Sequence, residues 1–132
     1  MTPIEIRILT IAIVVITSAL VFYTVGVWGE RLQKGLQGWH VICFMLGIVA
    51  DVIGTSLMAE LVRLTGKDDR LHEITGLIAV CVMAIHAVWA VWTYRKGSAR
   101  AKRHFSRFSV VVWFIWLIPY GIGVYLGMAL HV

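Results

Sequence analysis

The sequence predicts an all-α fold: an integral membrane, up-down-up-down four-helix bundle. Three observations predict it. Of the 132 residues, 60% are hydrophobic and only 14% charged, against roughly 45–50% and about 25% in soluble domains. Mean hydropathy is +0.86, more apolar surface than a soluble globule of this size could cover. The apolar residues also fall into four continuous runs, not the alternating pattern of a membrane β-barrel.

The four runs cover about 8–28, 41–61, 74–94 and 108–130 within a single transmembrane domain over 1–132. About 20 residues cross a hydrocarbon core, so each run is one span. The first run is too long for a cleaved signal peptide. Glu5 and Arg7 nearly cancel before it, so it reads as a retained helix. The connections 29–40, 62–73 and 95–107 are short, which makes successive helices antiparallel neighbours. Cys43 and Cys81 both lie inside apolar runs, so no disulfide framework is expected.

The net charge of +5 reads first as membrane topology, not as nucleic-acid binding. The first and third connections carry Arg31, Lys34, Arg95, Lys96, Arg100, Lys102, Arg103 and Arg107, eight basic residues. The opposite side carries four, Arg7, Arg63, Lys67 and Arg70, beside Glu60, Asp68, Asp69 and Glu73. The positive-inside rule then predicts a multi-pass protein of the cell membrane. Its first and third connections are cytoplasmic and both termini outside.

Polar and small residues within the spans mark expected inward stripes. On the first helix these are Thr10, Thr17 and Thr24. The second offers His40, Gly47, Asp51, Gly54 and Met58; the third offers His72, Gly76, Ala79, Met83, His86, Ala90 and Thr93. Polar side chains avoid lipid, so these stripes should face the bundle interior. Helix packing alone accounts for the Thr and Gly residues. The histidines ask for more.

His72 and His86 are 14 residues apart, which leaves them about 40° apart around the helix and about 21 Å apart along it. His40 lies on the facing stripe, and His104 enters at the inner mouth of the fourth helix. Imidazole is a frequent metal ligand, so His86, His40 and His72 are the candidate metal ligands. All six Trp and all five Phe fall in the cytoplasmic half. Walls such as Trp89 suit a flat apolar ring, and Lys102 and Arg103 could pair with its carboxylates. A haem has both parts.

Two His on one helix at a spacing of 14, met by His on other helices, resembles the ligand pattern of di-haem membrane cytochromes b. The resemblance implies b-type haem held by paired imidazoles, electron transfer linked to quinol, and glycines (Gly47, Gly54 and Gly76 here) that let a macrocycle approach the backbone. The chain, with Trp39-His40, the HAVW segment from His86 and the segment 96–106, is also similar to the HsmA-like family of small four-helix membrane proteins. The second spacing of 14 is missing, since position 54 is Gly and position 118 is Ile. One inner haem b is therefore expected before two. His86 pairs first with His40; His104 and Met45 are the other candidates, thioether sulfur being a known axial ligand.

Partners on this view are the lipid bilayer, a quinone or redox partner, and a second copy of the chain in a homo-oligomer; nucleic acid is not among them. The rival function is a small proton-coupled transporter or exporter built on Asp51, because an intramembrane carboxylate is a functional candidate by default. A haem-sensing or accessory membrane subunit is the third. No nucleophile motif, phosphate loop or zinc-protease motif appears in the sequence, and whether the chain is an oxidoreductase stays open.

Overall fold

The computed structural model describes residues 2–67 and 70–131, with side chains as far as residue 126. Four helices follow one another: α1 Pro3–Leu32, α2 Gly38–Thr65, α3 Arg70–Lys96 and α4 Ala99–His131. All four are long and apolar enough to cross a membrane. The expected all-α membrane bundle is thus observed.

Each helix outruns its apolar run. The 30 residues of α1 rise about 45 Å, more than the roughly 30 Å hydrocarbon core. The excess turns carry the charged residues and are capped. At the start of α1, the Thr2 hydroxyl accepts the Glu5 N–H at 3.2 Å while the Glu5 carboxylate accepts the Thr2 N–H at 2.9 Å, a reciprocal capping box. Pro3 fills the first helical position, where its missing N–H costs nothing. α2 stops at Gly66, whose φ of 69° and N–H bond to Val62 O at 2.8 Å close the last turn. Arg63 then pairs with Glu60 on the exposed last turn. The connections expected over 29–40 and 95–107 shorten to 33–37 and 97–98.

α1 packs most closely on α2, and α3 on α4. The molecule is therefore two helical hairpins laid side by side. Within the first, Gly47 receives the Tyr23 ring and Gly54 receives Ile16. A Cβ at either glycine would overlap that neighbour, so absence of a side chain sets the helix separation. One core cluster gathers Ala19, Tyr23, Ala79, Met83, Val112 and Trp116 from three helices. A second, nearer the 33–37 connection, holds Val27, Leu36, Phe44, Ala90 and Phe105.

The expected stripes hold on α2 and α3, where His40, Gly47, Asp51 and Gly54, and Ala79, Met83, His86, Ala90 and Thr93 are buried. On α1 the expectation is corrected for two of the three threonines, while Thr24 is half-buried and accepts the Trp113 Nε1–H of α4 at 3.0 Å. Thr10 and Thr17 are exposed, and the buried face is Ala12, Ala19, Tyr23, Gly26, Val27 and Glu30. Thr10 satisfies its hydroxyl on Ile6 O at 2.8 Å. A threonine that bonds back into its own helix has no need of the interior. The outer face carries large apolar side chains such as Ile85, Val88 and Leu77 in the open, a surface that suits lipid and not water.

Candidate functional site

Polar groups inside the bundle lie in two layers. The middle layer is centred on Asp51, 2% exposed. Tyr23 Oη and Trp116 Nε1 both donate to its Oδ2, each at 2.9 Å. Trp116 also meets Tyr23 edge-on with centroids 5.1 Å apart. Asp51 is thereby held in a packed, hydrogen-bonded setting.

The second layer lies toward the 33–37 and 97–98 connections and draws on all four helices. Glu30 from α1, His40 from α2, His86 and Thr93 from α3, and Ser106 and Ser109 from α4 are all buried. Glu30 falls seven residues after Tyr23, so the heptad that buries the tyrosine also carries the carboxylate inward. His40 occupies the first turn of α2, where its Nδ1 accepts the Gln37 backbone N–H at 2.8 Å. His86 Nε2 lies 2.8 Å from Ser109 Oγ, and Ser109 also stands beside Glu30.

Aromatic rings enclose the His86 imidazole. Phe105 stacks on it at 4.9 Å and Phe44 meets it edge-on at 4.7 Å. His40 sits one helical turn from Phe44 on the same face of α2. Four buried polar atoms in this layer have no hydrogen-bond partner: Glu30 Oε1 and Oε2, His40 Nε2 and His86 Nδ1. Buried polar atoms are nearly always paired, so this concentration marks the layer as the candidate site.

The expected site residues divide between this layer and elsewhere. His86 and His40 are both buried, and the Phe44 ring that meets His86 lies one turn from His40 on α2. His72 is half-buried at the other end of α3, beside Gly123. His104 and Arg103 are exposed. Met45 and Trp89 are 44% and 43% exposed, though the Trp89 ring meets the buried Phe105 edge-on at 5.9 Å. Lys102 extends its ammonium over the Tyr94 ring at 5.2 Å. Gly47 and Gly54 face Tyr23 and Ile16, and nothing lies within 4 Å of a Cβ built on Gly76. His131, the outer histidine of α4, has its side chain outside the described residues. Among the described residues, no three His, Cys, Asp or Glu side chains are grouped so as to hold a metal ion between them.

Glu30, Ser109 and the groove residues were not among the expected site residues. A groove of about 250 Å³ lined by Trp28, Arg31, Arg107 and Val110 opens between α1 and α4, next along each helix to Glu30 and Ser109. Its two arginines, Arg31 and Arg107, are exposed at its rim.

Fold and site together define a multi-pass membrane four-helix bundle with a buried imidazole–carboxylate layer near one end. No protein-family model matches the sequence, and no curated protein or solved structure matches it either.

Proposed function

We propose that this chain is a b-type haem-binding membrane protein that passes electrons within the bilayer, and that His86 is the residue that would hold the haem iron. The observation that carries this is the His86 ring itself: wholly buried, walled by two phenylalanines, and with Nδ1 unpartnered. Its donor chemistry fits a haem iron, which takes a neutral imidazole lone pair.

Ser109 is the residue that would hold the His86 ring in place for that role. With the ring hydrogen on Nε2 and donated to Ser109 Oγ, the Nδ1 lone pair is open. Such an outer partner sets the tautomer and orientation of a ligating imidazole. Phe44 and Phe105 exclude water from the ring, and a macrocycle on His86 requires these two rings to part. Arg31 and Arg107, which line the groove between α1 and α4, are the cations that would hold its carboxylates. A bound haem supplies one-electron chemistry at the iron. The sidedness proposed with this function puts the layer in the cytoplasmic half.

Asp51, on which a proton-coupled exporter would turn, is engaged by Tyr23 and Trp116, which supports a structural role for it. The test is one absorption spectrum of protein produced with ample haem, oxidised and then dithionite-reduced. A Soret band that disappears in His86→Ala is expected. A colourless wild type, or an unchanged spectrum in the variant, overturns the proposal.

A further inference from the structure

We infer that the groove between α1 and α4 binds the headgroup of an anionic phospholipid, its phosphate held between Arg31 and Arg107. The site lies on the outside of the bundle and does not depend on the haem proposal. One guanidinium pair holds one anion at a time, so a lipid phosphate and a haem carboxylate are alternatives there.

The pair is set by where two apolar runs end. On α1 the run closes at Trp28 and Arg31 follows three residues later; on α4 Arg107 immediately precedes the run that begins at Phe108. The two ends stand at one level, because Trp28 meets Trp113 edge-on with centroids 5.6 Å apart. That level is where hydrocarbon gives way to headgroups, and an indole such as Trp28 belongs there. Trp28, Arg31, Arg107 and Val110 line a single groove of about 250 Å³. The arginines thus flank one recess from two helices.

Neither guanidinium has an acid to pair with among the described residues, where the one ion pair joins Arg63 to Glu60 on the last turn of α2. Glu30, next to Arg31 in the chain, is wholly buried, and no acid lines the groove. The planar guanidinium fork bonds two oxygens at once, which suits phosphate.

The surroundings make that phosphate a lipid's. Toward the middle of the membrane, exposed Val25 and Val21 continue the Trp28 face of α1, and exposed Phe114 follows Val110 by one turn of α4. An acyl chain covers such a track. On the other side more cations gather. Lys34 lies in the connection just past Arg31, and the Arg103 side chain comes within 4.0 Å of a Cβ built on Gly35. These repel the ammonium of a zwitterionic headgroup, so an uncharged alcohol on the phosphate is the matching class.

Native mass spectrometry of the full chain in detergent, with phosphatidylglycerol or phosphatidylcholine added, reads the first lipid bound. One basic residue near an anionic headgroup is worth about fivefold in affinity, the equivalent of about 1 kcal/mol. The wild type should therefore prefer phosphatidylglycerol roughly 20-fold. Arg31→Gln or Arg107→Gln alone should each lower that preference roughly fivefold, and the double variant should abolish it. Arg95→Gln combined with Arg100→Gln, at exposed positions outside the groove, should keep it. Circular dichroism checks folding, and the single variants carry the test should the double one not fold. A wild type without the preference, a folded double variant that retains it, or an equal loss in the Arg95–Arg100 control overturns the inference. So does displacement of the lipid by inorganic phosphate at equal concentration, which would make this a site for free phosphate. The Soret band, which tests the haem proposal, is read separately from all of these.

Discussion

Tyr23 and Trp116 donate to the same atom, Asp51 Oδ2, from helices in different hairpins, each over 2.9 Å. The aspartate therefore joins α1, α2 and α4 at one point, and its value to the fold depends on both donors. With Trp113 Nε1 donating to Thr24 at 3.0 Å, α4 is tied to the first hairpin through two indoles.

Replacing Asp51 by Ala should strand a phenol and an indole N–H in the core. A loss of about 1–3 kcal/mol is expected, more than for Tyr23→Phe, which removes one donor and leaves the carboxyl bonded to Trp116. Asp51→Asn keeps an acceptor and should fall between them, with haem content unchanged. Unfolding in mixed detergent micelles measures the order. A substitution series without that ranking would mean that the bonds do not support the bundle.

Gly47 should tolerate no side chain, because a Cβ there meets the Tyr23 ring. That ring is wedged against Trp116, so overpacking should cost about 1–3 kcal/mol in Gly47→Val. Gly76→Ala is the control: nothing lies within 4 Å of a Cβ there, and a small gain from helix propensity is expected. Thermal unfolding of the two variants side by side makes the comparison. Equal midpoints would contradict the packing.

Much of this was legible in the sequence. The Asp51, Gly47 and Gly54 spacing placed one face of α2, and the Ala79, Met83, His86, Ala90 and Thr93 spacing placed one face of α3. Each mixes small and polar residues, which lipid does not select. α1 was harder. Its threonines share the heptad that a buried face would show, yet threonine can bond its own backbone, so its position carries little information. Glu30 was lost for another reason. Hydropathy ends the first run at Trp28, which put a charged residue two positions later into a connection, while the helix continues to Leu32. The Tyr23–Glu30 heptad was the available signal. The Gln37 contact to His40 Nδ1 depends on backbone geometry at a helix start, which spacing does not carry.

Orientation gives a further prediction. Reporter fusions after Val132 should register outside and fusions near Ser98 inside, because basic residues in short connections are retained in the cytoplasm. Protease accessibility of the 97–98 connection in sealed vesicles of known sidedness provides a second reading of the same question. The opposite pattern would move the Glu30–His40–His86 layer to the outer half.

Pairing of the helices into two hairpins bears on how the chain is made. α1 and α2 leave the ribosome first and can enter the bilayer together, with Tyr23 of one already beside Asp51 of the other. The carboxyl then has an internal hydrogen-bond donor before α4 and its Trp116 exist. Insertion would otherwise expose an unbonded acid to hydrocarbon. Glu30 and His40 have no such early companion, but both stand within a few residues of the helix ends, where headgroups and water reach them until the second hairpin closes over that layer. Birth order and burial depth thus agree: the deepest polar group is the one whose first donor is synthesised before it.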